Sequence, residues 1–154
     1  MTSRYPRNHA ERQFQNELIA NVGASLASRT ADMLNDLMDH LDLDLKEPAA
    51  HLTLVMNVPK KGELKLISVR ADNGTLNPAS NQISQQLKTW GLDRKLVDGF
   101  AAALHGIDPG FMYDETPSGD VGERYVPLDR LVDKLDDVKR AVIDLVEGVR
   151  AETP

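Results

Sequence analysis

The amino-acid sequence predicts an α+β fold in which long helices at both ends pack with a small antiparallel β-sheet. The apolar spacing is helical near the start of the chain and again near its end, and it alternates with period two over residues 51–70. The length of 154 residues suits one domain whose core is large enough to fold without disulfides, and the chain has no cysteine. We therefore expect a single domain over 1–154.

The N-terminal helical arm is predicted over residues 8–44. Asn8 is the expected N-cap, and Glu11 follows three residues later, as in a capping box. Apolar side chains then recur at helical spacing as far as Leu41. Gly23 and the polar residues 28–30 weaken the middle of this pattern. The arm is therefore either one long bent helix or, as the less favoured alternative, two helices joined near residues 28–31.

A β-hairpin is predicted over residues 51–70, at the start of a segment that spans 50–106. Apolar residues occupy every second position of 51–58, and the stretch PKKGE at 59–63 is typical of a turn. The returning strand carries apolar residues on both faces, so we expect both sides of the sheet to be partly covered.

A central helical hairpin is predicted over residues 79–105. Its corner falls at Gly91, and Asp93 is the expected cap of the second helix.

The last segment, 107–150, is predicted to hold a second strand pair within 111–127 and a long C-terminal helix. The helix carries apolar residues at alternating spacings of three and four, which is a heptad pattern. These seam residues are Leu128, Leu131, Leu135, Val138, Val142, Leu145 and Val149. The seam packs either on the N-terminal arm of the same chain or on a second copy. We take it as the candidate interface of a homodimer, because two long amphipathic segments carry more apolar surface than two short strand pairs can cover.

Charge and spacing bear on DNA binding. The net charge of −6 disfavours a protein that coats nucleic acid, but residues 51–105 hold seven basic and four acidic side chains, a balance of +3. The segment 83–100 has the glycine and apolar spacing of a helix-turn-helix around Gly91. Leu87 stands where a small residue is usual, so a plain helical hairpin with Gly91 as its C-cap is the favoured alternative. The candidate nucleic-acid contacts are Lys60, Lys61, Lys88, Arg94 and Lys95.

Two patterns suit a metal ion. On a continuous helix, Asp36, His40 and Asp44 would share one face, although a solvated acidic face is the commoner arrangement. On a strand, Glu63 and Lys65 would share one face, as in metal-dependent nucleases, but the preceding strand offers no carboxylate. We therefore expect neither a metal nor a cofactor.

The remaining catalytic candidates are weak. His105 and Asp108 lie in a loop, where catalytic groups are common, but no nucleophile pattern accompanies them. An enzyme of unrecognised type with a site there, assisted by His51, stays open as an alternative.

No apolar run is long enough to span a membrane, and the absence of cysteine fits the cytoplasm. We expect a non-enzymatic interaction or regulatory protein, acting as a small homodimer with an unknown protein partner. A DNA-binding regulator that uses 83–100 is the first alternative.

Overall fold

The fold is α+β, with helices at both ends and an antiparallel sheet, as the sequence predicts. A computed structural model describes residues 4–46, 48–111 and 125–153. The helices are α1 (His9–Val22), α2 (Ala24–Leu41), α3 (Ser80–Thr89), α4 (Lys95–Ile107) and α5 (Leu135–Glu152). The strands are β1 (Asp44–Leu45), β2 (His51–Val58), β3 (Gly62–Arg70), β4 (Thr75–Pro78) and β5 (Val126–Pro127). They form one sheet in the order β1-β2-β3-β4-β5, with every neighbouring pair antiparallel.

The N-terminal arm is two helices joined at Gly23. The expectation of one long helix is wrong, and so is the alternative junction near residues 28–31. Gly23 has a φ of +90°, a conformation that a residue with a side chain rarely adopts, and its N–H closes α1 on the Ile19 carbonyl at 2.8 Å. The predicted cap is confirmed, because the Asn8 side chain accepts from the Glu11 N–H at 2.9 Å.

A buried ion pair fastens the start of the arm to the sheet. The Glu11 side chain is only 1% exposed, and it accepts from the Arg7 backbone N–H and from two guanidinium nitrogens of Arg7 at 2.7–3.2 Å. Arg7 also donates to Asp44 in β1 at 2.8 Å. The hydrogen bond to Glu11 raises the pKa of Arg7, and the hydrogen bond from Arg7 lowers the pKa of Asp44.

The hairpin over 51–70 is confirmed, with β2 and β3 joined by a turn in which Lys60 has a φ of +67°. A bulge interrupts its register. Leu54 pairs with Ile67 and Val55 pairs with Lys65, so Leu66 is the extra residue on β3. The bulge explains why β3 carries apolar residues at adjacent positions. The second face of the sheet is partly covered, as predicted, since Val55 on it is 6% exposed and α3 contacts β3.

Only part of the predicted second strand pair lies within the described residues. Residues 112–124 fall outside them. Val126–Pro127 form β5, which pairs with β4 in the register Thr75↔Pro127 and Leu76↔Val126.

The predicted C-terminal helix starts later than its heptad spacing indicates. Leu128–Leu131 form a 3-10 turn, and α5 begins only at Leu135. α5 packs against α2 and α4 of the same chain. All seven seam residues are 0–7% exposed. The seam is therefore part of this chain's own core, and its side chains are not accessible to a second copy in this conformation.

The helical hairpin over 79–105 is confirmed as α3 and α4, and its corner is a glycine C-cap. Gly91 has a φ of +72° and donates to the Lys88 carbonyl at 3.2 Å, while the Leu92 N–H donates to the Leu87 carbonyl at 2.8 Å. This pair of bonds is the Schellman motif. The N-cap position of α4 is Arg94 and not the predicted Asp93, which lies one residue earlier and accepts from the Lys95 N–H at 2.9 Å.

Candidate functional site

The sheet has one apolar face and one polar face. Side chains of a strand point alternately to opposite faces, and on the apolar face residues such as Leu52, Leu54 and Val69 are fully buried. On the other face a row of polar side chains crosses three strands, because Thr53 on β2 pairs with Ser68 on β3 and Ser68 pairs with Asn77 on β4. The Thr53 and Ser68 hydroxyl oxygens lie 3.0 Å apart, within hydrogen-bonding distance. An antiparallel sheet commonly has such a solvated face, so the row by itself indicates no ligand.

An aromatic and cationic cluster lies at one end of this row. The rings of His51 and Tyr125 stack with centroids 6.0 Å apart and an angle of 20° between their planes. The guanidinium carbon of Arg70 lies 5.7 Å from the centre of the Tyr125 ring, within the range of a cation–π contact. Arg70 also donates to Asp72 at 2.7 and 3.0 Å, which raises the pKa of Arg70 and lowers that of Asp72.

A cavity of about 190 Å³ opens on the polar face. Strands β2, β3 and β4 and the first turn of α3 provide its walls. The residues that line it are His51, Thr53, Lys65, Ser68, Asn77, Ala79, Gln82 and Tyr125. Among these described residues are one lysine and one histidine, and no carboxylate. A second hollow, of about 410 Å³, shares Lys65 and Gln82 with the cavity and continues along α3 past Gln86. The two hollows form a groove between β3 and α3.

The bulge in β3 sets the position of α3 beside this cavity. The ladder between β3 and β4 runs as far as Ile67 and Pro78, and the Ala79 N–H then donates to the carbonyl of the bulged Leu66 at 3.0 Å. The helix starts at the next residue. Ala79 occupies its N-cap position, and no side-chain hydrogen bond caps the first turn, as at the starts of α2 and α5.

Three side-chain atoms at or next to the cavity are buried without a hydrogen-bond partner. His51 Nδ1 and Asn77 Oδ1 belong to residues that line it, and Ser80 Oγ belongs to the first residue of α3, which is 1% exposed. An unsatisfied buried polar group costs about 1–3 kcal/mol, so it is uncommon in a folded protein. Two of the three atoms belong to residues that line the cavity, where a bound molecule or water can satisfy them.

No protein-family model, curated protein or solved structure matches this chain. The geometry alone therefore carries the functional argument.

The basic residues predicted to contact nucleic acid lie around the α3–α4 corner and the β2–β3 turn. Lys61, at the turn, donates to the Trp90 carbonyl at the end of α3, with Nζ and O 3.5 Å apart. This contact brings the turn, with Lys60, to the corner. Arg94 at the corner pairs with Asp98 at 3.2 Å, which reduces the positive charge there.

The loop candidates have structural contacts of their own. His105 lies in the last turn of α4 and not in a loop, and its Nδ1 lies 2.8 Å from the Phe111 carbonyl oxygen. Asp108 is 4% exposed, accepts from the Gly110 N–H at 2.7 Å and pairs with Arg130 at 2.5 Å. Neither residue lines the cavity described above.

The metal patterns are not assembled in the described part of the chain. Asp44 lies in β1 and pairs with Arg7, so it does not share a helical face with Asp36 and His40. Among the residues that the structure describes, no group of three or more histidine or carboxylate side chains is placed to hold a metal ion. Within the same residues, no helix combines the length and apolar character that crossing a bilayer requires.

The sequence interpretation missed most residues of the cavity, among them Ser68, Asn77, Gln82 and Tyr125. A signal for two of them was present in the strand periodicity. Thr53 on β2 and Ser68 on β3 are each a polar residue between two apolar neighbours. The bulge at Leu66 hid the alternation that places them on one face.

Proposed function

We propose that the protein is a non-enzymatic regulatory protein that works by binding a ligand or partner at the polar face of its sheet. The observation that carries the proposal is the cavity of about 190 Å³ beneath α3, which polar residues from three strands line. Polar groups that converge on a concave site are typical of specific recognition. The apolar residues of the sequence are used in the core between the helices and the opposite face of the sheet.

The contacts inside the cavity favour binding over catalysis. A catalytic hydroxyl needs a base within hydrogen-bonding distance, and that base is itself oriented by a third group. Here the hydroxyls of Thr53 and Ser68 lie within hydrogen-bonding distance of each other. Among the described residues, His51 Nδ1 has no hydrogen-bond partner, so none of their carboxylates orients the ring through that atom.

A ligand screen by thermal denaturation tests the proposal. Nucleotides, sugars, sugar phosphates, amino acids and short peptides are added to the wild type and to the double variant Ser68→Ala/Asn77→Ala. A ligand that binds only the folded state raises the unfolding temperature, and at a hundredfold excess over its Kd it adds about 2.7 kcal/mol. We expect at least one class to stabilise the wild type and not this variant.

The matched control is Asn16→Ala/Ser25→Ala, which removes the same groups from exposed positions of α1 and α2. It should respond like the wild type. Stabilisation that persists in Ser68→Ala/Asn77→Ala would place the binding elsewhere and contradict the proposal. Chemical conversion of the ligand, followed by mass spectrometry, would show an enzyme.

The homodimer stays a proposal, and its interface would have to lie outside the heptad seam, because the seam is buried within the chain. Light scattering at micromolar concentration measures the mass directly. A dimer mass supports the proposal, and a monomer mass contradicts it.

DNA binding is the second candidate, and the contact between Lys61 and the Trp90 carbonyl favours it, because it gathers basic residues at one corner. A labelled mixed-sequence duplex, followed by fluorescence anisotropy, tests this candidate. Micromolar binding that weakens as salt rises, and that Lys60→Glu/Lys61→Glu abolishes, would support it. The absence of binding at low salt would exclude it.

A further inference from the structure

We infer that the cavity beneath α3 binds a phosphate group, carried by a small phosphorylated molecule. The inference rests on the proposed binding function and specifies its ligand chemistry. It starts from charge. The chain has a net charge of −6, yet the described residues that line the cavity include Lys65 and His51 and no carboxylate. An anion is the ligand class that such a lining favours.

The cation of the cavity is available to a ligand. Lys65 is exposed on β3 and takes part in no ion pair among the described residues. The nearest acidic residue along β3 is Glu63, which lines the adjoining hollow. Its carboxylate pairs at 2.9 Å with Lys46, the residue that follows β1. Glu63 therefore has a cationic partner of its own, and Lys65 has no ion pair among the described residues.

Hydrogen-bond donors surround the same space. The hydroxyls of Thr53 and Ser68, the amides of Asn77 and Gln82, and the imidazole of His51 all line it. The hydroxyls, the amide nitrogens and an imidazole N–H can donate to the oxygens of a tetrahedral anion, whereas the unpartnered Asn77 Oδ1 accepts and takes no part.

The first turn of α3 adds a positive electrostatic contribution. Both its N-cap residue, Ala79, and its third residue, Gln82, line the cavity, and no side chain caps the turn. The N-terminal end of a helix carries a partial positive charge and favours anions. His51 Nδ1, which belongs to a residue of the lining, is buried with no hydrogen-bond partner among the described residues.

The size of the cavity favours a phosphate group over water alone. Its volume of about 190 Å³ is several times the ~30 Å³ that one water occupies in the liquid. The adjoining hollow, which runs along α3, gives the rest of a phosphorylated molecule a way out to the surface. Free phosphate and phosphate esters share the same chemistry, so the experiment must separate them.

Isothermal titration calorimetry with inorganic phosphate, glycerol 3-phosphate, adenosine 5′-monophosphate and glycerol tests the inference. We expect at least one phosphate ester to bind saturably, inorganic phosphate to bind more weakly and glycerol not to bind. Lys65→Gln should weaken ester binding at least about tenfold, since a charge-assisted hydrogen bond is lost. Arg12→Gln, which removes the same charge from an exposed position of α1, should leave the affinity unchanged.

Two further measurements keep the test decisive. Circular dichroism and urea unfolding check that Lys65→Gln folds like the wild type. The amide NMR signals of Ser68, Ala79 and Gln82 should shift on addition of ester in the wild type. Tight binding of inorganic phosphate alone, with no added affinity from the ester, would overturn the small-molecule part of the inference.

The failures of the two proposals are distinguishable. Absence of phosphate and ester binding up to millimolar concentration, or equal affinity in Lys65→Gln, would overturn the phosphate site. If a neutral ligand still stabilises the wild type but not Ser68→Ala/Asn77→Ala, the binding function stands without it. Hydrolysis of a bound ester would overturn the non-enzymatic function and leave the site in place.

Discussion

Truncation of Leu145 tests whether the heptad seam is the core of this chain. Leu145 lies on α5 and is 3% exposed. The change Leu145→Ala removes hydrocarbon worth about 0.8 kcal/mol per buried carbon, or roughly 2.4 kcal/mol for three. The cavity that remains brings the usual cost of such a change to about 2–5 kcal/mol. With a urea m-value of about 2 kcal/mol/M, the midpoint of unfolding should fall by about 1–2.5 M.

The assay is urea unfolding followed by circular dichroism, at two protein concentrations that differ tenfold. For a seam that packs inside the chain, the loss is the same at both concentrations. For a seam that joins two chains, tenfold dilution alone lowers stability by about 1.4 kcal/mol. Glu147→Ala, an exposed change on the same helix, is the control and should stay within about 0.5 kcal/mol of the wild type. A Leu145→Ala protein that keeps the wild-type midpoint but loses a dimer mass would refute the intramolecular seam.

Three other perturbations have expected outcomes. Glu11→Ala leaves the Arg7 guanidinium without its buried partner and should cost about 3 kcal/mol in urea unfolding, whereas a loss below about 1 kcal/mol would mean the pair is not buried in solution. The pKa of Asp44 is lowered in the folded state, so this residue stabilises the fold above its unfolded pKa of about 3.9. That stabilisation is lost as pH falls through the folded pKa. Asp44→Asn should therefore make the free energy of unfolding fall less steeply at acid pH, and an unchanged slope would contradict this. Gly91→Ala should lower the free energy of unfolding by about 1–2 kcal/mol because Gly91 has a positive φ. Gly99→Ala should raise it by about 0.5–1 kcal/mol, because Gly99 lies in the middle of α4 with open space around it. Losses of equal size in the two variants would argue against the Schellman corner.

Local signals in the sequence were sufficient for most secondary structure. The Asn8 cap, the β2–β3 hairpin and the corner at Gly91 each depend on residues close together in the chain, and each is confirmed. The start of α5 was placed too early, because Leu128 and Leu131 continue the heptad spacing through a 3-10 turn and a break. The spacing of apolar residues predicts which side chains are buried. A 3-10 turn can bury side chains as well as an α-helix does, so the spacing does not locate the start of the α-helix.

The candidate site was less accessible from sequence. Its residues come from β2, β3, β4, α3 and the position before β5, and each is an ordinary polar residue in its own segment. Asn77 and Tyr125 are 48 positions apart and line the same cavity only because β4 pairs with both β3 and β5. Strand pairing between distant segments has no local signature, so sequence patterns could not assemble this set.

The sequence by itself determined the α+β class, the hairpin, the helical corner and the apolar character of the seam, because helix caps, turns and periodicity act over a few residues. The tertiary structure decided two further points. It decided that the seam packs on α2 and α4 of the same chain. A heptad pattern predicts that a helix buries its apolar side against another helix, but it does not identify that helix. It also decided, through one extra residue at Leu66, where α3 begins and hence where the polar cavity lies, because a bulge changes which face every later side chain of β3 occupies.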